Sequence, residues 1–78
     1  MKQEKDQRLQ DIALAIGYWR RKRNMNQDEL AEKTGLSYDT IKFYEQCRRT
    51  PRIVNLIKIA DVLKVDLKDL IRVDDAKE

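Results

Sequence analysis

Histidine is absent from this chain of 78 residues, and cysteine occurs once. Neither a disulfide framework nor a Cys/His zinc site can be assembled within one copy of it. Ser37 is the only serine, and with no histidine to activate it the usual hydrolytic triads are excluded. Two glycines and one proline leave no glycine-rich phosphate loop. No apolar run approaches the roughly 20 residues of a membrane span, and none reads as a secretion signal. The carboxylates Asp28, Glu29, Glu32, Asp66 and Asp69 stand where helix caps and solvated helix faces account for them. The expectation is a cytoplasmic protein that is no enzyme, with no cofactor, no metal, no membrane partner and no small-molecule ligand. There is no internal repeat, linker or low-complexity segment. The expectation from the length is one small domain, residues 1–78 with an ordered core of about 6–72, without a second domain for sensing a ligand.

What the chain has in abundance is charge. Charged residues make up 40% of it and hydrophobic ones 41%, the balance of a helix-rich domain. The net charge of +3 is modest, but it is unevenly spread. Residues 1–19 carry three basic and three acidic groups, residues 20–52 nine and five, and residues 53–78 five and six. The positive excess therefore sits in the middle of the chain, as a phosphate-binding surface would require, although a basic run alone is also what a solvated face looks like.

That middle third reads as two short helices joined by a tight turn. Asn26 is placed to cap the first, with Glu29 three residues on to complete a reciprocal capping box. Thr34 ends it and Gly35 supplies a left-handed residue. Leu36 drops into the core, and Ser37 caps the next helix with Asp39 in its first turn, where the helix dipole favours negative charge. Ala31 is small where such closely joined helices must cross. At about 100° per residue, Thr40, Ile41 and Tyr44 fall on one face of the second helix with Glu45 at the edge. Tyr38, Asp39, Lys42, Phe43 and Gln46 fall on the other, and two aromatics among polar residues are unusual for a merely solvated face.

Around this unit, Leu9, Ile12, Ala13, Ile16 and Trp19 or Arg20 recur at helical spacing, predicting a first helix from near Asp6 to Arg23, ended by Asn24. Met1 to Gln7 is expected to fray. Gly17 inside this helix reads as a close-packing position, Trp19 as core and Tyr18 as partly exposed. Arg20 to Arg23 suit a helix C-terminus. After a basic loop, Ile53, Leu56, Ile57, Ala60 and Leu63 form an apolar stripe widened by Val54, Ile59 and Val62, more than one face of a small bundle demands. Lys64 and Val65 make a turn, Asp66 caps a short fifth helix with Leu67, Leu70 and Ile71, and the tail from Arg72 is polar.

The sequence resembles the Cro and phage-repressor (Xre-type) helix-turn-helix family of bacterial and phage DNA-binding proteins. The resemblance rests on Gln27, Leu30-Ala31, Gly35-Leu36-Ser37, Thr40-Ile41, Glu45 and Arg49-x-Pro51, and continues through Leu56, Ile59-Ala60, Leu63 and Leu70. It departs where the family usually has glycine and this chain has Cys47. It implies an all-α, five-helix, lambda-repressor-like domain whose second and third helices form the helix-turn-helix. It also implies that Arg20 pairs with Glu45 as a structural ion pair, leaving Arg21 to Arg23 free to approach phosphate.

The resemblance implies a sequence-specific transcriptional regulator of double-stranded DNA, with the recognition helix, about 37–46, in the major groove. Tyr38, Asp39, Lys42 and Phe43 would then face base edges: Asp39 accepting from cytosine, Lys42 donating to guanine, and Phe43 packing on a thymine methyl. Asp39 equally well serves only its own helix start. Asn26, Gln27, Gln46, Arg48 and Arg49 would contact phosphate. One such module buries too little surface for selective binding, so a homodimer on a pseudo-palindromic operator is expected, with surplus apolar residues of the fourth helix and the fifth helix at the twofold. The alternatives are a DNA-binding antitoxin of a toxin-antitoxin pair, or a protein-interaction module that has lost DNA binding.

Overall fold

Asp6 starts the first helix by accepting the Arg8 N–H at 2.8 Å on its carboxylate. The Arg8 guanidinium bonds the same carboxylate and, with that backbone bond, lowers its pKa from 3.8 to about 2. The helix therefore begins at Gln7, inside the stretch expected to fray. The computed structural model describes residues 6–71, and the expected tail beyond Ile71 lies outside them. Among these residues the chain forms α1 (Gln7–Lys22), α2 (Gln27–Thr34), α3 (Tyr38–Glu45), α4 (Ile53–Leu63) and α5 (Leu67–Leu70), with no strand. None of these helices is long and apolar enough to cross a membrane.

The other starts follow the sequence. Asn26 accepts the Glu29 N–H at 2.8 Å while Glu29 accepts the Asn26 N–H at 2.9 Å, so two orphan donors of α2 are satisfied reciprocally. Ser37 Oγ accepts the Thr40 N–H at 3.0 Å to open α3. Asp66 stands at the N-cap of α5, its N–H donating to Asp69 at 2.9 Å.

Four helices end in one way. A left-handed residue follows each: Asn24 (φ 58°), Gly35 (φ 80°), Cys47 (φ 62°) and Lys64 (φ 60°). The next N–H then donates back across five residues: Met25 to Arg20 O at 3.0 Å, Leu36 to Ala31 O at 3.1 Å, Arg48 to Phe43 O at 2.8 Å and Val65 to Ala60 O at 3.0 Å. This closure satisfies carbonyls that a helix end would otherwise expose. Lys64 was expected only as part of a turn, and nothing in a lysine announces a positive φ.

Leu30 and Ala31 from α2 and Ile41 and Tyr44 from α3 meet Ile16 of α1, Leu56, Ile59, Ala60 and Leu63 of α4, and Leu70 of α5 in one core. α1 packs on α3, α4 and α5, and α2 on α3 and α4. Trp19 lies at the margin, half-buried, with the Arg23 guanidinium 5.2 Å from its ring centre. Arg23 does not stand free for phosphate. Its Nε donates to Leu63 O at 2.7 Å, closing the C-terminus of α4. The apolar surplus of α4 is real: Ile53, Val54 and Ile57 remain 52%, 57% and 45% exposed.

A left-handed residue other than glycine costs about 1–2 kcal/mol, of which glycine's extra unfolded-state freedom cancels about 0.5–1. Lys64→Gly should accordingly raise stability by about 0.5–1 kcal/mol in urea unfolding. Cys47→Gly should gain less, because Cys47 is half-buried with its Sγ 3.9 Å from Leu9 O. An unchanged midpoint for Lys64→Gly would contradict this account.

Candidate nucleic-acid interface

α2 and α3 are joined by Gly35, Leu36 and Ser37 alone. Thr34 stiffens this turn from inside: its buried hydroxyl donates to Leu30 O at 2.8 Å and accepts the Leu36 N–H at 3.3 Å. Ala31, 5% exposed, occupies the α2 face turned to the core. α3 has only eight residues, too few to persist by itself in water, so its direction is set by what holds it. Ile41 and Tyr44 anchor its inner face at 0% and 3% exposure. The Tyr44 hydroxyl accepts from the Asn55 side chain at 2.8 Å, fixing α3 to α4; the polar Asn55 within an apolar helix was the available sign of this contact.

The structure brings Arg20 and Glu45 together beneath the C-terminal end of α3. Arg20 Nε donates to Glu45 Oε2 at 2.7 Å and Nη2 to Oε1 at 3.1 Å, while Nη1 donates to Met25 O at 2.9 Å. The two side chains are 13% and 10% exposed. Gln27 joins them, its Nε2 donating to Glu45 Oε1 at 3.1 Å, so one N–H of its amide is engaged in the brace. Gly17 lies against this cluster. A Cβ there would stand 3.4 Å from Glu45 Oε1 and 3.1 Å from Arg21 Nη1, so the close packing foreseen for Gly17 is within the chain.

On the outer side, Tyr38, Asp39 and Gln46 are exposed, and Lys42 and Phe43 half-buried. Lys42 Nζ stands 5.4 Å from the Tyr38 ring centre, 5.5 Å from that of Phe43, and 3.7 Å from Asp39 Oδ1. The exposed Arg48 and Arg49 place their guanidinium carbons 5.1 Å from the centre of the Phe43 ring. Each such contact at a wet surface contributes about 0.5–1 kcal/mol. Asn26 sits at the start of α2 with its side-chain oxygen occupied by the cap.

An eight-residue helix sealed on one face, open and cation-rich on the other, and tied to its predecessor by a three-residue turn defines a helix-turn-helix. The chain belongs to the Helix-turn-helix family, whose model matches residues 16–70. It is 39% identical over 60 residues to an uncharacterized HTH-type transcriptional regulator of Archaeoglobus fulgidus, covering 77% of this chain and 86% of that one. It is 36% identical over 47 residues to the cryptic phage CTXphi transcriptional repressor RstR of Vibrio cholerae, covering 60% of this chain and 42% of that one. Among solved structures, the restriction-modification controller protein C.AhdI of Aeromonas hydrophila superposes with a TM-score of 0.78 at 24% identity, over 81% of this chain and 96% of that one. The hypothetical transcription factor NHTF of Neisseria gives 0.81 at 22% identity, over 91% and 82%. These two share the fold. The chain is a DNA-binding transcriptional regulator.

Removing Arg20 would leave the largely buried Glu45 carboxylate with the Gln27 amide as its remaining hydrogen-bond donor among the described residues. Arg20→Ala should therefore destabilise by about 3 kcal/mol in chemical denaturation. An unchanged melting temperature would show that the pair contributes nothing net.

Proposed function

We propose that the protein is a sequence-specific regulator that lays α3 in the major groove and binds a pseudo-palindromic operator as a homodimer, within the cytoplasm. The observation that carries the reading is the two-sidedness of α3. Ile41 and Tyr44 are sealed in the core, whereas Tyr38, Asp39 and Lys42 stand outward with Arg48 and Arg49 beyond the helix end. Lys42 is suited to guanine O6 and N7, Tyr38 to hydrogen bonding at a base edge, and Asp39 to the cytosine amino group. Gln46, Arg48, Arg49 and the amide N–H₂ of Asn26 supply donors to phosphate. Gln27 gives one amide N–H to Glu45 and keeps a second to offer phosphate.

Phosphate contacts release counterions whatever the sequence, while base contacts matter only in the right site. Arg48→Ala should weaken binding to every duplex and lower the salt slope by about 1, whereas Lys42→Ala should cost about 1–3 kcal/mol mainly on the preferred site. The comparison is made by titrating a site selected from random DNA and an unrelated duplex at several salt concentrations. If wild type shows no salt-dependent binding to any duplex, while a protein partner shields Tyr38 and Lys42, the face belongs to a protein interface.

For the dimer, the support is the exposed row of Ile53, Val54 and Ile57 on α4. Ile57→Lys, at a position 45% exposed, should leave the fold intact and shift sedimentation to the monomer. A wild-type monomer at high concentration would remove this part of the reading.

A further inference from the structure

Phe43 does not offer a bare ring to solvent. It is half-buried, with three cations around it: Lys42 Nζ at 5.5 Å and the guanidinium carbons of Arg48 and Arg49 each at 5.1 Å from its centre. Among the described residues neither arginine has a carboxylate partner, so the ring is what holds their long side chains. Phe43 also holds Arg48 through the backbone. Its carbonyl accepts the Arg48 N–H at 2.8 Å in the closure that ends α3, and this brings the loop back over the helix's last turn. A ring so occupied is poorly placed to pack on a thymine methyl, which needs an uncovered apolar surface.

We propose that Phe43 is a positioning residue for DNA binding: its ring gathers Arg48 and Arg49 where a phosphate arrives, and acts on DNA through them rather than by reading a base. Two mobile arginines would lose rotamer freedom on meeting a phosphate; arginines already collected on a ring lose less. Lys42 also lies 5.5 Å from the ring, but Tyr38 and Asp39 stand beside it as well, so its placement does not depend on Phe43. This rests on the DNA-binding reading above and assigns Phe43 differently from the base contact expected from the sequence.

The test compares Phe43→Leu, which keeps apolar bulk without a π face, with Phe43→Tyr, which keeps the ring. Phe43→Leu should weaken binding to preferred and unrelated duplexes alike by about tenfold, with a salt slope close to that of wild type because the arginines still reach phosphate. Phe43→Tyr should remain within about twofold of wild type. In an Arg48→Ala/Arg49→Ala background, Phe43→Leu should have almost no further effect, as a residue acting through those arginines requires. In the free protein, the Cδ protons of Arg48 and Arg49 should be displaced by ring current in wild type and return towards random-coil values in Phe43→Leu, at an unfolding midpoint monitored in parallel. Loss confined to the preferred site, or a full loss persisting without the arginines, would overturn the proposal. Arginine shifts that ignore Phe43→Leu would overturn it independently of any DNA, whereas wild-type protein that binds no duplex would bring down the DNA-binding reading itself.

Discussion

The bidentate contact of Arg20 with Glu45 joins the end of α1 to the end of α3, and the outward face of α3 depends on it. Eight residues make about two turns, too short to be a helix without tertiary support, so α3 takes its orientation from its surroundings. The core fixes one side through Ile41 and Tyr44. The ion pair fixes the C-terminal end, with Gln27 of α2 and the Met25 carbonyl in the same network. All three elements of the front half thereby meet at one carboxylate. Such a pair need not exceed a well-packed apolar alternative in stability, but its geometry leaves α3 little rotational freedom.

The chain economises on glycine. Four helix ends use a left-handed residue and only Gly35 is the residue type that adopts it without strain. The turn inside the helix-turn-helix is the one that receives glycine, while the equally short turn between α4 and α5 uses Lys64. At Cys47 the same closure brings Arg48 and Arg49 back over Phe43, so the way α3 ends also shapes the surface beside it.

Two exposed apolar areas remain outside this front. Leu14 and Tyr18, four residues apart on α1, are 67% and 49% exposed, with Lys22 beside the tyrosine ring. Ile53, Val54 and Ile57 form the other on α4. Neither takes part in the core. Isolated exposed apolar residues are ordinary on small proteins, but a row of three on one helix is a surface that association would cover.

Local chemistry made much of this legible from the sequence. The Asn26–Glu29 capping box, Gly35, the alternation of faces on α3 and the apolar periodicity of α1 and α4 all act within a few residues, so the five helices and the identity of the two faces of α3 could be read directly. The resemblance to a known family supplied the partner of Arg20. What only the tertiary structure decided is where long polar side chains go. Among four consecutive basic residues, Arg20 turns to Glu45 and Arg23 to the carbonyl of Leu63, 40 residues away. Gln27 bends inward, Asn55 finds the Tyr44 hydroxyl, and Phe43 collects cations from both sides of a helix end. A cap or an apolar stripe is set by neighbours in the chain, whereas arginine, lysine and glutamine reach several ångströms and settle on whichever acceptor or ring the fold brings near.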